Sequence, residues 1–244
     1  MYNYRLKISY DGSNYSGWQI QANSNSIQGE IKKVLELLLK EEVNLIGSGR
    51  TDAGVHALGQ IANFHSTKKI DKWKFLHSLN SILKKDISVD DLTEVNENFN
   101  SRFDAVSRSY IYLITNKKSP FYYNYAWMNN WVCNFQIDKL NELSKTLIGE
   151  NDFTSFCRKK SEVENKICNL IEFGWRRSGD FIIVYTQANR FLHGMVRSLI
   201  GTVLLAAKDN YNHELIKNII INKNRETAGE SVPAKGLFLY KVRY

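Results

Sequence analysis

A chain of 244 residues, 43% of them hydrophobic, is long enough to bury a sizeable core, as one large domain or as two smaller ones sharing a cleft. A net charge of +8 and a pI near 9.2 suit a polyanion-binding surface, but a lysine-rich solvated surface gives the same balance. Three cysteines with no Cys-x-x-Cys pair and no histidine at ligand spacing indicate neither a disulfide framework nor a zinc site, and fit a reducing, cytoplasmic setting.

The first residues, Tyr2-Asn3-Tyr4-Arg5-Leu6-Lys7, lack the apolar core of a signal peptide. Over 4–10, apolar Tyr4, Leu6, Ile8 and Tyr10 alternate with Arg5, Lys7 and Ser9, which predicts a strand with one wet face. Ser26 then precedes a helical stripe of Ile27, Ile31, Val34, Leu35, Leu38 and Leu39, with the serine as N-cap. Gly47 to Gly54 form a glycine-rich loop, and Gln60 to Phe64 return to strand alternation. A helix near 73–84 and a strand near 87–95 complete the first half.

Strands are predicted in the second half at 108–115, 168–177, 181–188 and 237–243, with helices near 138–148, 190–207 and 212–222. Asp138 and Gly149 read as the caps of the first of these helices. The stretch Phe191 to Ala207 is the longest apolar one, but His193 and Arg197 interrupt it, so a soluble, unprocessed, non-membrane chain is expected. Strands mixed with helices, without regular βαβ alternation, imply an α+β fold with a largely antiparallel sheet. No Pro- or Gly-rich linker separates the halves. Two intimately packed lobes are expected, 1–104 and 105–244, with an active-site cleft between them.

The basic residues come in doublets: Lys32-Lys33, Lys68-Lys69, Lys84-Lys85, Lys117-Lys118, Arg158-Lys159-Lys160 and Arg176-Arg177. The richest segment is Gly47-Ser48-Gly49-Arg50-Thr51-Asp52-Ala53-Gly54-Val55-His56. A dinucleotide fingerprint would need glycine where Asp52 stands, and the Walker lysine is absent. What remains is a carboxylate on a backbone that can approach a ligand closely. The bland alternative is a tight turn in which Asp52 caps Val55 or His56 and Arg50 is solvated.

In the helix near 190–207, Phe191, Met195, Leu199 and Val203 form one apolar stripe. Arg190, His193, Gly194, Arg197 and Gly201 share the face left to meet a ligand. An unpaired buried guanidinium is costly. Arg197 is therefore either exposed or paired, and Asp52 or an ordinary surface acid would serve. Tyr110 and Tyr112 point to one face of a strand, as core residues or as a stacking surface for an extruded base. His56 and His193 are weak acid-base candidates, since no Ser or Cys nucleophile motif accompanies them.

In order along almost the whole chain, several segments resemble the tRNA pseudouridine synthase A family. They are Tyr10-Asp11-Gly12-Ser13-Asn14-Tyr15-Ser16-Gly17-Trp18-Gln19, Ser26-Ile27-Gln28, Gly49 to Ala57, Arg102-Phe103-Asp104-Ala105 and Arg108-Ser109-Tyr110-Ile111-Tyr112. Gly149 to Phe156, Phe191 to Arg197 and Pro233-Ala234-Lys235-Gly236-Leu237 follow. The resemblance implies two similar α/β lobes and a homodimer whose subunits both touch one tRNA. It implies isomerisation of uridine at positions 38, 39 and 40 of the anticodon stem-loop, by base flipping and without metal or cofactor. Asp52 would be the catalytic nucleophile, Arg50 would help extrude the nucleotide, Tyr110 would contact the flipped uracil and Arg197 would pair with Asp52. Leu237 would wall the base, with Arg108 and His193 as further substrate contacts. Two rivals are a non-catalytic RNA binder, which has no use for a carboxylate at 52, and a nucleoside N-glycosidase, which would gather several acids or a metal.

Overall fold

The computed structural model describes residues 1–158 and 163–244, so Lys159 and Lys160 of the basic run at 158–160 lie outside the described residues. In chain order the elements are β1 (Tyr2–Tyr10), α1 (Ile27–Leu39), β2 (Ile46–Gly47), β3 (His56–Ser66), α2 (Lys72–Ile82), β4 (Ile87–Val95), β5 (Ser107–Thr115), β6 (Trp127–Met128), α3 (Ile137–Lys145), β7 (Gly149–Asp152), β8 (Ile167–Ser178), β9 (Phe181–Ala188), α4 (Met195–Lys208), α5 (His213–Asn222) and β10 (Leu237–Arg243). The class is α+β with mostly antiparallel sheet and flanking helices, as the strand and helix signals implied. No helix among the described residues is long and apolar enough to cross a membrane.

One compact unit comprises Met1–Val106 together with Phe238–Tyr244. Its strands run in the order β4-β1-β3-β10, with β2 pairing β3. In β1 the alternation works as predicted: Tyr4, Leu6 and Ile8 are fully buried, each contributing about 1.5–3 kcal/mol by leaving water. In α1, Ser26 Oγ accepts from Gly29 N at 3.2 Å, and Ile27, Ile31, Val34, Leu35 and Leu39 form the buried stripe. The helix stops at Lys40, whose backbone is left-handed (φ 54°). By contrast, α2 is capped by Asp71 but buries only Leu79.

The last strand departs from the lobe division expected from the sequence, which kept everything after 104 together. β10 runs parallel to β3, with Phe238 opposite His56 and Leu239 opposite Ala57, and from Phe238 onward its residues belong with the first unit. Gly59 makes this approach possible, because a Cβ there would sit 2.5 Å from the Tyr240 carbonyl oxygen. No local pattern in 237–243 encodes which strand it will join.

The second unit is Ser107–Leu237, with strand order β5-β9-β8-β7 and β6 on β5. The expected caps of α3 are corrected. Gln136 is the N-cap and makes no side-chain cap bond, while Asp138 lies in the first turn, where a carboxylate favours the positive end of the helix. The helix closes at Thr146, and Gly149 (φ +106°) opens β7 instead of ending α3.

Candidate active site

The loop carrying Asp52 belongs to the first unit and is held from both ends. At its start, Ser48 N donates to Ile61 O at 2.7 Å. Ser48 Oγ donates to Gln60 Oε1 at 2.6 Å, and Gln60 Nε2 donates to Gly49 O at 2.9 Å. Gln60 is fully buried on β3, so its amide is an internal strut that spares both the serine hydroxyl and the glycine carbonyl an unpaired burial. Further on, the Thr51 hydroxyl lies 2.8 Å from the Tyr10 hydroxyl, and Trp18 N donates to Thr51 O at 3.1 Å. A tight turn closes through the Asp52 carbonyl, which accepts from Val55 N at 3.2 Å, with Gly54 at φ +74°. Asp52 is half-buried between exposed Arg50 and Ala53.

Beneath this loop lies the Tyr10–Gln19 segment, and its glycines stand where the two backbones nearly touch. A Cβ on Gly12 would lie 2.0 Å from Val55 O, one on Gly17 2.4 Å from Thr51 O, and one on Gly47 2.6 Å from the Trp18 indole. Gly17 also has φ +102°, and Gly54 N donates to Tyr15 O at 3.3 Å. The two motifs form one body: the first is the bed on which the carboxylate loop rests.

His56 joins the same body. Its ring is buried and stacks on Phe238 with centroids 4.7 Å apart, and its Nδ1 lies 3.1 Å from Gly12 N and 3.1 Å from Asp11 Oδ1. The Gly12 N–H requires a bare Nδ1, whereas a hydrogen bond to Asp11 requires a proton on it, so the two contacts need different placements of the ring proton. In both, the imidazole ties β3 to the start of the Asp11–Gly17 turn.

The remaining expected site residues lie in the second unit. Tyr110 is buried on β5, its ring meeting Phe191 edge-on at 5.2 Å, and Tyr112 is buried on the same strand face. The Tyr112 hydroxyl donates to Pro233 O at 2.8 Å. Burial pushes its phenol far above the ordinary range, against the opposing pull of the Arg197 charge. Arg197 and Val232 exchange two bonds: Arg197 Nε donates to Val232 O at 2.7 Å, and Val232 N donates to Arg197 O at 3.2 Å. Arg108 donates from a guanidinium nitrogen to Asn189 O at 3.0 Å, His193 is exposed and Leu237 is buried.

The predicted helix at 190–207 is corrected here. Residues 191 and 192 are irregular, 193 and 194 form a turn, Gly194 is the N-cap at φ +74°, and α4 begins at Met195. Its supposed ligand face is packed as well: a Cβ on Gly201 would meet Glu230 O at 1.8 Å, and Gly229 N donates to the Thr202 hydroxyl at 2.9 Å. Only the half-buried Arg197 side chain, already gripped by Val232, emerges on that side near the helix start.

A family model described as tRNA pseudouridine synthase matches residues 7–104 and 143–244. The chain belongs to the tRNA pseudouridine synthase family. Relatives named tRNA pseudouridine synthase A include one from Caldicellulosiruptor bescii, 42% identical over 246 residues, and one from Caldicellulosiruptor saccharolyticus, 40% identical over 248 residues; both alignments cover 100% of each chain. Another, from Bacillus licheniformis, is 37% identical over 242 residues and 98% of each chain. In this family member the sequence reading missed Gly12, Gly17, Gln60 and Val232, whose roles are contacts with residues far along the chain. A hint was available for the glycines, since two of them crowd one motif, but nothing named their partners. Among the described residues, no group of three or more His, Cys, Asp or Glu side chains is placed to hold a metal ion.

Proposed function

We propose that this chain isomerises uridine to pseudouridine at positions 38, 39 and 40 of the tRNA anticodon stem-loop, acting as a cytoplasmic homodimer. The reaction breaks the C1′–N1 bond, turns the uracil and joins C1′ to C5; C5 loses its proton and N1 takes one up, so no atoms are gained overall and there is no change of oxidation state. It needs a base taken out of the stack, a carboxylate at the sugar–uracil junction and a pocket that retains the free base, and no metal or cofactor. Asp52 is assigned the carboxylate, Arg50 extrusion of the nucleotide, Tyr110 contact with the flipped uracil, and Arg197 the partner charge that keeps an acid ionised. Leu237, Arg108 and His193 are assigned the lesser base and backbone contacts.

The observation that carries this reading is the seating of the Asp52 loop, whose acid stands between Arg50 and Gly54 on a bed built from a second family motif. A non-catalytic RNA binder would gain nothing from a fixed carboxylate there. The test is chemical labelling of pseudouridine in total tRNA from cells with and without this chain. Loss of label at 38–40 on deletion is expected; unchanged label at all three positions would refute the assignment. Equilibrium sedimentation tests the dimer, which is refuted by a fully active monomer at nanomolar concentration.

A further inference from the structure

The first unit carries a cluster that the isomerisation does not use. The run Lys68-Lys69-Ile70-Asp71-Lys72-Trp73-Lys74 leads into α2, and all four lysines are exposed. Trp73 stands among them with 85% of its surface in water, although α2 buries only Leu79 and a core tryptophan would have stabilised it far more. Beside them a groove is lined by Leu38, Leu39, Ile70 and Phe75. Asp71, the single acid of the run, is spent as the helix cap and lies 3.6 Å from Lys74, and Lys68 Nζ donates to Leu39 O. Lys69 and Lys72 remain as exposed cations flanking an exposed indole.

We infer that Trp73 with Lys69 and Lys72 is a second RNA contact, taking one unpaired nucleotide on the indole face while the lysines neutralise its neighbouring phosphates. The chemistry fits a polyanion with exposed π-faces: base stacking on an aromatic ring combined with backbone neutralisation is the usual mode of sequence-tolerant single-strand binding. A symmetric contact with a second copy would bring two such lysine clusters face to face, so charge argues against that occupant. Position adds to the case. Just past the other end of α2, the Lys84 ammonium sits 5.9 Å over the Tyr15 ring, and Tyr15 O holds Gly54 N of the Asp52 loop. At 1.5 Å per residue the helix from Trp73 to Ile82 spans roughly 14 Å, and Lys84 lies beyond that end, so Trp73 stands apart from the groups that seat the loop. A contact at that reach holds the same RNA outside the nucleotide undergoing reaction. The inference rests on the proposed tRNA substrate and adds a place where that substrate is gripped.

The test measures binding of full-length unmodified tRNA across a salt series, for the whole chain and for W73A, W73F and K69Q/K72Q, with helical content and melting midpoint confirming that each variant folds. W73A is expected to lose about tenfold in affinity with an unchanged slope of log K against log salt, and W73F to retain most of the affinity. K69Q/K72Q is expected to flatten the slope by roughly 1.5, since each lost phosphate contact removes about 0.7–0.9. Turnover at saturating tRNA should stay at the wild-type value in all three, with KM raised in W73A. Wild-type affinity in W73A together with a wild-type slope in K69Q/K72Q overturns the inference, as does W73A that loses self-association and keeps its RNA affinity. A wild-type chain that binds tRNA but forms no pseudouridine would sink the proposed activity alone, and the binding series would still decide the role of Trp73.

Discussion

Gly17 stands so close to Thr51 that a methyl group on it would lie 2.4 Å from the threonine carbonyl oxygen, in a backbone conformation (φ +102°) that side chains avoid. The same carbonyl accepts from Trp18 N, so the contact between the two loops is fixed by a bond as well as by shape. Gly17→Ala is expected to destabilise the fold by about 1–3 kcal/mol from strain and displacement together, and to lower turnover more than tRNA binding because it shifts the loop that carries Asp52. Gly49→Ala is the control for stability, since a Cβ there meets nothing within 4 Å. Equal melting midpoints for the two variants would show that the close approach does not matter.

Asp52→Asn preserves the size of the side chain and removes its charge and nearly all of its nucleophilicity. Pseudouridine formation should vanish while tRNA affinity changes by no more than about tenfold, roughly 1.4 kcal/mol. Product formed at even a hundredth of the normal rate, after wild-type contamination and deamidation are excluded, would remove Asp52 from its assigned role.

Arg197 has a structural duty independent of any acid. Its Nε bonds Val232 O, and its own carbonyl accepts from Val232 N. Arg197→Met removes the charge and strands a carbonyl, at about 1–3 kcal/mol for the unsatisfied group. Arg197→Lys keeps the charge but has no Nε donor at that position. We expect both variants to melt earlier than wild type and the Met variant to lose nearly all turnover. Full turnover in Arg197→Met would show that the guanidinium is not needed by the chemistry.

Burial raises the Tyr112 phenol above its ordinary value near 10, so the folded state holds its proton more tightly than the unfolded chain does. The neutral phenol therefore favours folding fully below pH about 10, and that contribution is lost as pH rises above it. Tyr4 and Tyr15 are raised by burial in the same direction. Chemical denaturation of wild type and Tyr112→Phe at pH 8 and pH 11 checks this. Wild type should lose more stability over the interval than the Phe variant, which has no phenol to ionise; equal losses would count against it.

How much of this molecule was written locally is plain from particular residues. Tyr4, Leu6 and Ile8 announced β1 by alternation, and Ser26 announced α1 by its cap, because both signals depend on neighbours within four positions. The same locality made the Gly49–His56 loop recognisable as an acid presented among glycines. Local reading failed where the deciding atom belongs to a distant segment. Gly194, with a left-handed backbone, separates the first residues of the apolar run from α4 as its N-cap, and Gly201 faces Glu230 instead of a ligand. Gln60 binds the loop from the middle of β3, and Phe238 lies beside His56 in a parallel pair 182 positions apart in number. The sequence by itself determined the long strands and the helices, though not the short strands β2, β6 and β7 or the start of α4, and it determined which carboxylate a glycine-rich loop presents. Only the tertiary structure decided what that loop rests on and which unit the last strand completes, because backbone approaches too close to admit a Cβ and ladder pairing are set by two chain segments at once, and neither segment alone encodes its partner.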